Sequence, residues 1–334
     1  MKKSSAIDSA QLKNLAGARK ATLPDFVPLQ LATLTAEAPA GDNWLHELKF
    51  DGYRMLCHLD RGKIRFWSRN QKDWSEKFPN LTAPLKALPA VTALLDGEVV
   101  VLDKSGHSSF QRLQQSMKGG AASFVFQVFD VIYLNGYDLR RTPLIERKAL
   151  LEQLLALAKP DGPLRYSDHV VGSGPEFLKQ ACKLGLEGIV SKLADSVYES
   201  TRSRNWLKVK CHLRQEFVIA GYTDSKNDFP GFGSLILGVY DKKNLVYAGR
   251  VGTGFSIKQR VALQQQLERI SQPASSFLVI PKVPELRRAH WVKPQLVGEV
   301  EFTEWTDEGY IRHPSFQGLR EDKKAKDVVR ERPQ

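Results

Sequence analysis

The chain has little cysteine: three residues, Cys57, Cys182 and Cys211, at wide and irregular spacing. That spacing suits neither a disulfide framework nor a C-x-x-C metal site, and it points to a reducing, cytoplasmic setting. No hydrophobic run approaches the roughly 18 residues that a membrane span needs. The start, MKKSSAIDSAQLKNLAG, is basic but lacks the apolar stretch of a secretory signal. The seven histidines fall at no metal-binding spacing, and there is no internal repeat and no low-complexity tract. Acidic residues are in the minority, 37 against 49 basic ones, for a formal net charge of +12. These absences exclude a secreted disulfide scaffold and a helical membrane protein. The basic excess favours a polyanionic partner without choosing between nucleic acid and a membrane surface.

What is present is an ordinary globular composition, 42% hydrophobic and 26% charged over 334 residues, enough for two packed domains. Residues 1–22 lack a sustained apolar face and read as a mobile lead-in or linker, or equally as a short frayed helix. Tyr53, Met55, Cys57 and Leu59 alternate with polar residues, and Asp60-Arg61-Gly62-Lys63 turns the chain toward Ile64 and Phe66. That pattern predicts a hairpin with one buried face. Leu94-Leu95, Val99 to Leu102 and Phe124 to Ile132 read as buried strands. Thr142-Pro143 predicts a helix start with a capping hydroxyl, and Leu150, Leu151, Leu154 and Leu155 form its apolar stripe. A second helix runs from about Pro175 to Leu184, followed by strands at 186–193 and 206–210. Beyond 211 the texture changes to short strands at 216–223, 235–240, 245–250 and 297–305, with one helix from Ser256. An α+β domain over 23–211 and an OB-type β-barrel over 212–334 fit this order.

The chemistry concentrates in short segments. Glu47-Leu48-Lys49-Phe50-Asp51-Gly52-Tyr53-Arg54 places an amine at the end of an apolar strand, before a turn and a guanidinium. Ser68-Arg69-Asn70, Asp96-Gly97-Glu98, Phe129-Asp130, Glu187 to Lys192 and Trp206-Leu207-Lys208-Val209-Lys210 follow in order. Near the C-terminus stands Arg312-His313-Pro314-Ser315-Phe316-Gln317-Gly318-Leu319-Arg320-Glu321-Asp322-Lys323. Each alone is explained by a turn, an edge strand or core packing. In this order they resemble the collinear motifs of ATP-dependent DNA ligases, and most closely the ligase module of bacterial ligase D, the end-joining ligase.

The resemblance implies a nucleotidyltransferase domain followed by an OB domain, and it implies roles. Lys49 is similar to the lysine that becomes lysyl-AMP. Glu47 resembles the residue at the adenine, and Phe129 the aromatic that stacks on it. Arg54 and Arg69 match the arginines at ribose and phosphates. Glu98 and Glu187 match the carboxylates near ribose and magnesium (or manganese). Lys192, Lys208 and Lys210 match the cations at the α-phosphate and triphosphate, and Arg202 another basic position. Arg312, Arg320 and Lys323 match the motif that orients pyrophosphate, which implies a lid-like OB domain. The implied partners are ATP, double-stranded DNA with nicks or ends, and Ku with other end-joining factors, acting on a monomer in the nucleoid-associated bacterial cytoplasm. The N-terminal DNA-encircling domain of larger members is not expected here, nor are polymerase and nuclease modules.

Elementary chemistry asks for the same residue types. Nucleotidyl transfer needs dispersed positive charge, a metal held by carboxylates and an in-line nucleophile. Surrounding lysines and arginines are expected to lower the pKa of Lys49. Two rivals remain at this point: an RNA ligase or capping-type nucleotidyltransferase, and a non-catalytic protein that binds nucleic acid through its OB surface.

Overall fold

The computed structural model describes residues 7–117, 123–225 and 230–332. The chain divides at Cys211 into two compact units, the second being His212–Arg332.

In chain order the first unit begins with α1 (Ser9–Asn14), β1 (Arg19–Lys20), β2 (Leu31–Leu34), β3 (Gly41–Leu48), β4 (Tyr53–Asp60) and β5 (Lys63–Ser68). Then come α2 (Pro79–Lys86), β6 (Thr92–Val101), α3 (Phe110–Met117), β7 (Phe124–Leu134) and β8 (Tyr137–Asp138). It closes with α4 (Leu144–Leu155), β9 (Leu164–Tyr166), β10 (Val170–Gly172), α5 (Gly174–Lys183), β11 (Gly188–Leu193) and β12 (Arg202–Lys210). One sheet runs β1-β8-β7-β6-β4-β5 with β9 also on β7, and the other runs β10-β3-β11-β12-β2. All pairs are antiparallel except β7–β9 and β12–β2.

Three apolar layers hold this unit together. Met55, Cys57 and Leu59 pack with the leucines of α2 and α4 on one face of the larger sheet. Burying Leu150, Leu151, Leu154 and Leu155 there contributes about 1.5–3 kcal/mol each. Leu56, Leu94, Phe129, Ile132 and Trp206 form a second layer between the two sheets. Ala181, Ile189 and Val209 form a third beneath α5. The β4–β5 hairpin is present, but β4 is an inner strand of its sheet and lies between the first two apolar layers, so both of its faces are buried rather than one.

Three expectations change. The segment expected as a mobile lead-in is ordered from residue 7: Leu12 is fully buried, and Arg19 pairs with Asp138. Thr142 does not cap α4, whose N-cap is Pro143 without a side-chain bond. Cys182 and Cys211 form a disulfide, with Cα atoms 5.2 Å apart, because the end of α5 returns beside the end of β12. Cys57 is a free, buried thiol, which burial holds well above its usual pKa.

The second unit contains β13 (Leu213–Tyr222), β14 (Leu235–Asp241), β15 (Asn244–Val251), α6 (Ile257–Arg269) and β16 (His290–Trp291). It ends with β17 (Val297–Phe302), β18 (Glu304–Trp305), β19 (Ile311–Arg312) and β20 (Ser315–Leu319). The single strand expected at 297–305 is thus two. The sheet order is β15-β14-β13-β17-β20, with β16 beside β13. No ladder between β15 and β20 is found among the described residues. A backbone bond from Phe316 N–H to the Thr253 carbonyl (3.0 Å) bridges those ends, as in a partly open OB barrel. α6 starts at Ser256, whose hydroxyl accepts from Gln259 N–H while the Gln259 side chain accepts from Ser256 N–H.

Candidate active site

Register places most of the chemistry on one face of the smaller sheet. Glu47 pairs with Val190, Val190 with Lys208, Lys192 with Trp206 and Gly188 with Lys210. Cross-strand partners share a face, so Glu47, Lys192, Trp206, Lys208 and Lys210 all face the same way. Lys49, one residue beyond β3, is fixed by its N–H donating to the Gly188 carbonyl at 2.9 Å. A side chain at Gly188 would meet the Val209 carbonyl at 2.1 Å, which explains the glycine. Gly52 is required likewise, because its Cβ would lie 2.2 Å from the Val99 carbonyl.

The larger sheet supplies the opposite wall. In β7 Val128 pairs with Gly97 and Asp130 with Asp96, leaving Phe129 as the extra residue of a bulge. Bulges re-aim side chains, and this one puts Phe129 against Trp206, ring centroids 6.0 Å apart and nearly perpendicular. Arg54 lies over both rings at 5.2 and 5.4 Å. Its guanidinium donates to both Asp96 carboxylate oxygens and to the Gln30 carbonyl. Tyr198 donates its hydroxyl to Asp96 as well (2.7 Å).

Electrostatics at Lys49 differ from the expectation. Its ammonium is bonded to Glu187 Oε1. Burial pushes its pKa down, but Glu187, and behind it Asp51 and Glu98, outweigh burial and raise it. Carboxylates, not cations, dominate its surroundings, which reverses the expected direction. The other oxygen, Glu187 Oε2, is buried with no hydrogen-bond partner.

Glu47 is 2% exposed and triply held. Lys148 Nζ donates to Oε1 at 2.9 Å, and Lys192 Nζ and Ser167 Oγ donate to Oε2, each at 2.9 Å. Burial raises its pKa, but the two ammonium groups more than offset this and hold it low. Burial pulls Lys192 down to about 8 against the pull of Glu47. Lys192 Nζ lies 4.3 Å from both the Phe129 and the Trp206 ring. It therefore stands between Glu47 and the aromatic wall.

The family model described as "ATP dependent DNA ligase domain" matches residues 30–210, and that described as "ATP dependent DNA ligase C terminal region" matches residues 229–323. The chain belongs to the ATP-dependent DNA ligases. It is 41% identical over 318 residues to the multifunctional non-homologous end joining protein LigD of Pseudomonas aeruginosa, covering 94% of this chain and 38% of that protein. The LigD of Mycolicibacterium smegmatis is 35% identical, over 91% of this chain and 40% of that protein. The chain thus spans about two fifths of the length of these curated relatives. Among solved structures, a mycobacterial DNA ligase D complexed with ATP and MES has a TM-score of 0.69 at 37% identity, covering 91% of this chain and 98% of that one. The ligase domain from M. tuberculosis LigD has a TM-score of 0.52 at 36% identity, with the same coverages of 91% and 98%.

The fold unites Glu47, Lys192, Lys208 and Lys210 on one sheet with Lys49 and Glu187 at its strand ends, and Arg54, Glu98 and Phe129 on the other. Arg69 stands half-buried in the turn after β5. Arg202 opens β12, about 25 Å along the strand from Lys210, and bonds to the Ala32 carbonyl. In the second unit Arg320 is spent on Asp322 and Glu299 (2.7–2.9 Å), and Lys323 pairs with Glu216. Arg312 pairs with Glu304 on the surface. Sequence reading missed Lys148, Ser167, Asp96 and Tyr198. Only Asp96, inside Asp-Gly-Glu, lay within a segment it singled out. No helix among the described residues is long and apolar enough to cross a membrane.

Proposed function

We propose that this chain seals 3′-hydroxyl/5′-phosphate breaks in double-stranded DNA, in bacterial end joining, through lysyl-AMP and DNA-adenylate intermediates. The observation that carries the reading is the Lys49–Glu187 contact at the mouth of a sheet face lined by Glu47, Lys208 and Lys210. In the first step Lys49 Nζ loses a proton, for which Glu187 is the acceptor in contact. It then forms a bond to the α-phosphorus as the bond to the pyrophosphate oxygen breaks. Lys208 and Lys210 offset charge on the phosphate oxygens. AMP next passes to the DNA 5′-phosphate, freeing Lys49. The 3′-hydroxyl, losing its proton, then attacks the phosphorus of the DNA 5′-phosphate as its bond to the AMP oxygen breaks, and AMP leaves.

Glu98 and Glu187 suit a magnesium or manganese ion, since the orphaned Glu187 Oε2 is an acceptor that a hard cation satisfies. No group of three ligating side chains exists among the described residues, so substrate oxygens and water would complete the shell. Such an ion would neutralise charge on the triphosphate. Phe129 serves as the stacking platform for the base, and Glu47 reads its edge. Arg312, Arg320 and Lys323 orient the leaving pyrophosphate, with Arg312, at 59% side-chain exposure, the most accessible of the three.

The net charge of +12 supports sequence-independent contacts to DNA phosphates. The relatives' names support a place in end joining; the family resemblance adds Ku and other end-joining factors as proposed partners of a monomeric enzyme in the nucleoid-associated cytoplasm. The test is a 5′-labelled nicked duplex incubated with the protein, ATP and Mg²⁺. A transient DNA-adenylate followed by a longer labelled strand is expected. Binding without either product would leave only the non-catalytic reading. A protein adduct formed with GTP but not with ATP would favour capping chemistry.

A further inference from the structure

Helix α4 contributes two adjacent buried cations with different employment. Arg147 bonds to Asp130 and to the carbonyls of Thr142 and Ser196, all within the scaffold. Lys148, 1% exposed, instead reaches Glu47 Oε1 and the Ser167 carbonyl, with its Nζ 4.3 Å from the Tyr166 ring. Glu47 already has a counter-ion in Lys192, so the pair would be neutral without Lys148. A second buried ammonium is a costly addition, and a hydrocarbon side chain at 148 would be the cheaper filling. The cost is accounted for if the orientation of Glu47, and not only its charge, matters.

An ionised carboxylate has about four lone-pair sites. Glu47 Oε2 uses both of its sites on Lys192 and Ser167, and Oε1 uses one on Lys148. One site on Oε1 stays open. Lys192 bonds to this carboxylate and its Nζ lies 4.3 Å from the Phe129 ring, so Glu47 and the proposed stacking ring belong to one pocket wall. The ammonium groups that could serve a carbonyl oxygen are already occupied by carboxylate, carbonyl and aromatic faces. An acceptor held there accepts an amino group and repels an oxo group.

We propose that Lys148 is a positioning residue that, with Ser167, holds Glu47 so that the site accepts a 6-amino purine and refuses a 6-oxo purine. This rests on the proposed adenylation of Lys49 and on Glu47 lying at the base.

The test measures the rate of covalent nucleotide addition to the full chain against concentration of ATP and of inosine triphosphate. Lys148→Met, near-isosteric and uncharged, is expected to raise the half-saturating ATP concentration about tenfold, with no more than about a threefold loss of saturated rate. The ATP-over-inosine preference is expected to fall by about tenfold or more. Lys148→Arg should recover little, because a planar guanidinium does not replace a compact ammonium. Ser167→Ala, which leaves every charge in place, should move the preference in the same direction by about threefold. It serves as the reading should Lys148→Met fail to fold. Unchanged preference in folded Lys148→Met or in Ser167→Ala overturns the inference and leaves the ligase reading intact. Absence of any adduct on the unsubstituted chain overturns both.

Discussion

Lys49 begins as a paired ammonium, and that sets a pH dependence. Its pKa is raised chiefly by Glu187, so the reactive amine grows with pH and adduct formation should rise through the alkaline range. Glu187→Gln removes the largest raising partner. The pH profile should shift to lower pH while its maximum drops, because the acceptor for the proton and the orphaned Oε2 are lost together. A profile that stays in place would show that Glu187 does not control Lys49. Phe129 is buried, bulged and packed edge-to-face with Trp206, so it is core as well as the proposed platform. Phe129→Ala should weaken ATP use by about 1–3 kcal/mol, roughly a 5- to 150-fold rise in half-saturating concentration. An unchanged value would reduce Phe129 to packing.

Among the elements, the Cys182–Cys211 disulfide ties the end of α5 to the residue after Lys210, closing a loop with a sequence separation of 29. Chain entropy alone assigns such a closure on the order of 3–4 kcal/mol. Reduction, or Cys182→Ser, should lower the melting temperature, read by calorimetry with and without reductant; equal melting would show that the bridge contributes nothing to stability. In the second unit Arg214 and Arg320 offset the burial of Glu299 and hold its carboxyl down to about 2, against 4.5 unpaired. This carboxylate therefore adds stability above about pH 4.5 that fades as pH falls toward 2. Arg320→Ala should cost about 3 kcal/mol at neutral pH and raise the pH of acid unfolding. Any further loss of adduct formation, at temperatures where the variant is folded, measures the pyrophosphate role separately.

These elements also show what could be read beforehand. The Ser256–Gln259 box, the β4–β5 turn and the run at Phe124 are local patterns, and local patterns survive into structure. The order of the motifs also sufficed to bring Lys49, Glu187 and Lys210 together. The bulge at Phe129, the pairing of Cys182 with Cys211 and the reach of Lys148 to Glu47 depend on contacts across 29 to 101 residues. No periodicity records such contacts. The charge at Lys49 was misjudged for a related reason: the contacting Glu187, with Asp51 and Glu98, outweighs the motif cations that share its sheet.

For the whole molecule, a mostly antiparallel two-sheet unit with Lys49 at a strand end precedes an OB-type unit, and the excess of basic charge suits a phosphate backbone. Everything in the proposed reaction passes through one covalent bond, from Lys49 Nζ to the α-phosphorus. The most direct test is therefore incubation with α-labelled ATP and Mg²⁺, a denaturing gel, and peptide mapping of the labelled chain. The label is expected on the peptide containing Lys49, and it should vanish in Lys49→Ala. It should vanish in Lys49→Arg as well, since a guanidinium keeps its proton and does not attack. Label that survives in either variant, or that maps to a peptide without Lys49, would contradict the proposed mechanism.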